Sequence, residues 1–126
     1  SRWWNLLIDN LIKRGYTVHH YGLPSDPILS ELKGYRTFPE LSYFDQVKAA
    51  LASQLVIGTD SGAQWVMGAY SHPAISLMTN WLPNHTQNLL ALEPVNDNGV
   101  TFLETGGCDN IHVGRVLKNI LERVPL

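Results

Sequence analysis

The chain has 126 residues, 44% of them apolar, a single cysteine and a formal net charge of −2. That length suits one compact domain that buries roughly two thirds of its unfolded surface, and the ordinary apolar fraction excludes disorder. No apolar run approaches the ~18–20 residues of a membrane span, the scattered basic residues exclude nucleic acid as the main partner, and Cys108 by itself excludes an internal disulfide and fits a reducing, cytoplasmic setting.

Trp4, Leu7, Ile8, Leu11 and Ile12 recur at helical spacing, and Gly15 supplies a helix stop. Residues 16–21, with Val18 among aromatics, read as a strand, and 22–25 as a loop. Asp26 before Pro27 has the form of an N-cap followed by proline at the first helical position, so a short helix is expected up to Gly34. A short strand is expected over 35–38. Ser42 and Asp45 then resemble a capping box, with Phe44, Val47 and Leu51 along one helix face.

Leu55, Val56 and Ile57 read as a buried strand, 58–62 as a turn and 63–70 as a helix. Pro73 precedes a second buried strand over 74–78. The stretch 80–107 is loop-rich, with a strand near 100–103. Val113, Val116, Leu117, Ile120 and Leu121 mark a closing amphipathic helix. Short apolar strands alternating with helices predict an α/β domain with a parallel sheet covered on both faces, all of 1–126 forming one unit. Ligands of such sheets bind beyond the carboxyl ends of the strands. That rule selects the loops 22–26, 58–62 and 79–84, and with them Gly22, Asp26 and Thr79.

The most informative segment runs from Leu55 to Met78. A strand enters Gly58-Thr59-Asp60-Ser61-Gly62 and passes directly into a helix. The first N–H groups of a helix lack internal partners and carry the positive end of its dipole. Gly62 has no side chain to hold a ligand off, so a diphosphate fits against the amides of Ser61, Gly62 and Ala63, with the Ser61 hydroxyl as a further donor. A carboxylate beside phosphate is repelled, which leaves Asp60 to fix the turn or to accept from sugar hydroxyls. The plainer alternative is that Asp60 or Ser61 is simply the helix N-cap. No Gly-Lys-Ser/Thr follows the glycines, so this is not a P-loop.

In order and spacing the chain resembles glycosyltransferase family 9, the heptosyltransferase-like enzymes. The resemblance rests on Arg2-Trp3-Trp4 with Leu7, Leu11, Gly15 and Val18; on Ala49, Ala52 and Leu55 through Gly62; on Ala69, Pro73 and the strand 74–78; and on the closing helix from Ile111 to Val124. It implies a Rossmann-like three-layer domain similar to the C-terminal, donor-binding half of a GT-B fold. Such a domain would hold a nucleoside-diphosphate sugar, heptose-like in this family, for transfer to an acceptor glycan or lipid. Thr59, Asp60, Ser61, Gly62, Ala63, Gln64 and Trp65 are the donor-binding residues so implied, joined by Gly22, Asp26 and Thr79 from the strand-end rule, although a cap before Pro27 explains Asp26 sufficiently. The resemblance also implies that the chain begins at Ser1 after that domain's first strand and lacks the N-terminal half. The catalytic base and the acceptor site are therefore expected elsewhere, and no catalytic residue is assigned. The scheme calls for no cofactor and no metal.

Trp65 stands where the family has His. An indole donates one hydrogen bond and otherwise offers a flat apolar face, so the donor, and activity itself, turn on that change. A second resemblance is to UDP-N-acetylglucosamine 2-epimerases, with Asp-Ser-Gly-Gly-x-Gln. Here Asp60-Ser61-Gly62-Ala63-Gln64 sets Gln one residue early. A non-catalytic nucleotide-sugar-binding module is the rival from outside the enzymes.

Several other residues have structural readings. His19 and His20, at a strand end, fit packing better than ligand contact. Trp81 suits base stacking and the cover of an apolar edge equally. Cys108, Asp109 and His112 fall short of the four ligands of a zinc site, and Asp109 or Asn110 reads as a helix cap. Asn84-His85-Thr86 is a glycosylation sequon by chance.

Overall fold

The computed structural model describes residues 2–59, 62–78, 94–104 and 110–126. The chain is α/β, and every strand pairing among the described residues is parallel. The strands fall into two hydrogen-bonded sheets: β1 (Val18–His20) with β2 (Tyr35–Thr37), and β3 (Val56–Thr59), β4 (Ala74–Met78) and β5 (Gly99–Leu103) in that order. Four helices are seen among the described residues: α1 (Arg2–Lys13), α2 (Tyr43–Ala50), α3 (Gly62–Ala69) and α4 (Val113–Arg123). This arrangement is compatible with a Rossmann-like fold. The chain separates into two compact units, 1–50 with 113–126, and 51–112.

In the first unit α1 buries Trp3, Leu7, Ile8 and Leu11, the stripe expected from its period, with Trp3 in place of Trp4. Trp4 instead sets its ring edge-on to Trp3 at 5.0 Å. The helix ends as a Schellman motif: Tyr16 N–H reaches Leu11 C=O, Gly15 N–H reaches Ile12 C=O, and Gly15 sits at φ 108°. α4 buries Val116 and Ile120 and packs on α1. The Tyr16 hydroxyl donates to the Val124 carbonyl and ties the ends of these helices together.

Two expectations fail in this unit. The helix expected over 26–34 is absent, because side chains take its backbone groups. The Asp26 carboxylate accepts from Leu23 N–H at 2.9 Å, behind it in sequence. Leu29 N–H goes to the Tyr35 hydroxyl and Leu32 N–H to Ser30 Oγ, so no i−4 ladder forms. The face expected of α2 is also wrong. Its cap is as read, with Asp45 N–H on Ser42 Oγ at 3.2 Å. Yet Phe44 is 72% exposed, and Gln46 and Ala50 are the buried residues.

In the second unit β3, α3 and β4 form a parallel crossover, with Val56 opposite Ala74 and Thr59 opposite Leu77. β4 is central and buried at all five positions. A strand with neighbours on both edges and both faces covered has no solvent side, hence its unbroken apolar run around Ser76. α3 also ends as a Schellman motif, with Ser71 at φ 50° where glycine is usual. The amino ends of the strands are clamped by asparagines: Asn96 Nδ2 donates to His72 C=O at 2.9 Å and Asn98 Nδ2 to Ser71 C=O at 2.6 Å. Among the described residues no helix is long and apolar enough to cross a membrane.

Candidate functional site

The carboxyl ends of β1 and β2 open on a cleft of about 110 Å³, lined by His20, Gly22, Leu23, Pro24, Asp26, Ile28, Thr37, Phe38 and Pro39. That is less than the roughly 150 Å³ of an engineered enclosed cavity that holds benzene. Leu23, Pro24, Ile28, Phe38 and Pro39 give apolar walls; His20, Asp26 and Thr37 give polar groups. Gly22 and Asp26, both expected at the site, are thus brought together, and His20, which was expected to pack, joins them.

Gly22 is fixed by α2. Gln46 Oε1 accepts from Gly22 N–H at 2.7 Å, and Gln46 Nε2 donates to Gly22 C=O at 3.0 Å and to Leu41 C=O at 3.1 Å. A Cβ on Gly22 would lie 2.1 Å from Asp26 Oδ2, so only glycine lets the carboxylate close over the loop. His20 Nδ1 lies 2.7 Å from the Tyr35 hydroxyl. Burial holds the His20 imidazole below its ordinary range, and the Asp26 carboxylate opposes that shift. Tyr21 stacks on Phe38 at 5.1 Å, and the Arg36 guanidinium lies 4.6 Å over the same ring. Burial raises the Tyr21 phenol, with Arg36 opposing.

In the second unit β3 delivers Thr59 to solvent, and α3 opens at an exposed Gly62. Ala63 is half-buried and Trp65 is 46% exposed. Gln64 turns inward: at 1% exposure it donates from Nε2 to Ile75 C=O at 3.1 Å and to Ser76 Oγ at 2.9 Å. Its amide is therefore occupied with the core of the sheet. Asp60, Ser61 and Thr79 lie outside the described residues, as do Trp81, the sequon 84–86, Cys108 and Asp109. His112 is exposed. Among the described residues no group of three His, Cys, Asp or Glu could hold a metal.

Comparison with family models, curated proteins and solved structures finds no match. Chemistry at the strand ends must therefore carry the functional argument. One group at these ends escaped the sequence reading. Gln46 looks like a surface residue on an amphipathic helix. The only signal was its place one turn after the Ser42 cap, where the first turn of α2 faces the neighbouring loop.

Proposed function

We propose that this chain is a nucleotide-sugar-binding domain, serving a glycosyltransferase that moves a heptose-like sugar from a nucleoside diphosphate to an acceptor glycan or lipid. The observation that carries the reading is the passage from β3 at Thr59 into α3 at Gly62, within a parallel crossover. The first amides of α3 start at a residue without a side chain, and Gly62 is exposed. Diphosphate oxygens placed there would meet N–H groups that have no partner within the helix, and the positive helix end. As the sugar leaves, negative charge grows on that diphosphate, and fixed amide dipoles stabilise it. Asp60 would orient the turn or accept from sugar hydroxyls, and Ser61 and Thr59 would add hydroxyl donors.

Trp65 supports a second reading, a binding module without transfer. Its exposed indole offers a stacking face where the resembling enzymes have an imidazole.

Amide chemical-shift titration with ADP and UDP tests both. Gly62, Ala63 and Trp65 should move first, with an affinity of order millimolar, about −4 kcal/mol. Gly62→Val should abolish those shifts while the thermal melt stays cooperative. Shifts confined to residues away from 59–65, or undiminished binding by Gly62→Val, would overturn the reading. Sugar transfer once a partner domain is supplied would separate the enzyme from the module.

A further inference from the structure

We propose that His20 is a proton-operated latch on the 21–34 loop, which forms one wall of the cleft at the carboxyl ends of β1 and β2. The argument starts at the Tyr35 hydroxyl, which has one proton and two lone pairs. Its oxygen accepts Leu29 N–H at 3.2 Å and lies 2.7 Å from His20 Nδ1. With the imidazole neutral, the hydroxyl proton goes to Nδ1, and every group in the chain Leu29 N–H, Tyr35 O–H, His20 Nδ1 is used once. The ring proton then sits on Nε2, which faces the Gly22 side of the cleft, 3.5 Å from where a Cβ on that glycine would be.

A proton added at Nδ1 sets N–H against O–H. The hydroxyl must turn away from Nδ1, its proton loses that acceptor, and as it turns it disturbs the lone pair that holds Leu29 N–H. At the other end the new imidazolium draws on Asp26, whose Oδ2 holds Leu23 N–H at 2.9 Å. A single proton thus loosens the loop at Leu29 and at Leu23 together. The groups around the ring fit this assignment. The loop contributes Asp26, β2 contributes Tyr35, and α2 contributes the uncharged Gln46 through Gly22. Arg36 pairs in register with His19 and lies over the Phe38 ring, while Asp9 of α1 is taken by Ser30 Oγ at 2.6 Å. The latch does not depend on what the cleft binds.

Histidine-ring and amide chemical shifts followed through a pH titration of the whole chain test the proposal. The His20 ring should titrate below 6.5, and the amides of Leu23 and Leu29 should move with the same midpoint. Tyr35→Phe removes the donor to the neutral ring, so it should raise the His20 midpoint and silence the Leu29 response. Asp26→Asn should lower that midpoint further. In His20→Gln both amides should be flat across the range. If Tyr35→Phe does not fold, the coincidence of ring and amide midpoints in the unaltered chain decides. Leu23 and Leu29 amides that stay still while the His20 ring titrates would overturn the latch. So would a His20 midpoint that Tyr35→Phe leaves unchanged or lowers.

Discussion

Gln46→Ala removes three hydrogen bonds at once. Gln46 is 6% exposed, and its amide serves Gly22 N–H at 2.7 Å, Gly22 C=O at 3.0 Å and Leu41 C=O at 3.1 Å. Each such bond contributes about 1 kcal/mol net, and a buried partner left unpaired costs about 1–3 kcal/mol. Because these backbone groups are only partly buried, water recovers some of that, and a total of about 2–4 kcal/mol is expected. At this chain length that corresponds to a fall in melting temperature on the order of 10 °C. Gln46→Glu is the sharper variant. Its carboxylate can still accept from Gly22 N–H, but at neutral pH it sets lone pairs against two carbonyls, so it should cost at least as much as Ala. Urea denaturation of the three proteins measures the differences, and faster amide exchange at Gly22 should accompany them. If both variants fall within about 0.5 kcal/mol of the parent, the amide does not hold the loop, and the account of the cleft built on it fails.

Two further outcomes follow from burial. Ile75→Ala, at the wholly buried centre of β4, should cost about 2–5 kcal/mol by the same urea assay; a loss below about 1 kcal/mol would mean that the strand is not core. Burial also sets a pH dependence, because it holds both His20 and His72 below the ordinary value of 6.5, against Asp26 in one case and the Ser53 backbone in the other. The unfolded chain therefore binds protons more readily, so stability should be full above about pH 6.5 and decline as the pH falls through that value toward the native pKa values. Thermal melts from about pH 8 to about pH 5 would check this, and His20→Gln with His72→Gln should flatten the decline.

Periodicity made the long elements legible. α1 and α4 repeat their apolar residues over two or more turns, and 74–78 reads as a buried strand because nothing polar but Ser76 interrupts it. Local end signals did less well where no periodic face stood behind them. Asp26-Pro27 has the chemistry of a helix start, but Ile28 is 64% exposed and Leu29 buried, so no stripe exists to dock a helix. The same carboxylate then found a nearer donor in Leu23 N–H. In α2 hydrophobicity pointed to Phe44, whereas a polar side chain with three backbone partners claimed the buried side. The site was legible by topology more than by residue type. Strand order put Gly22, Asp26 and Gly62 near strand ends, as the structure does, but could not tell that Gln64 turns inward to Ser76 or that His20 meets Tyr35, since both depend on which side of its element a side chain leaves.

The asparagine clamp at the amino ends of β4 and β5 has an evolutionary consequence. Asn96 and Asn98 bind the Ser71–His72 corner, and Ala74 N–H meets Asn98 C=O, so the alignment of β4 with β5 is set where the strands begin. Thr59, Met78 and Leu103 end the strands at the opposite end of the sheet from that clamp. A substitution at either asparagine is expected to disturb the pairing of β4 with β5, whereas one at the exposed Thr59, at the other end of β3, leaves it in place. Such a division lets selection try new ligand contacts at one end of the sheet while the other end preserves the frame.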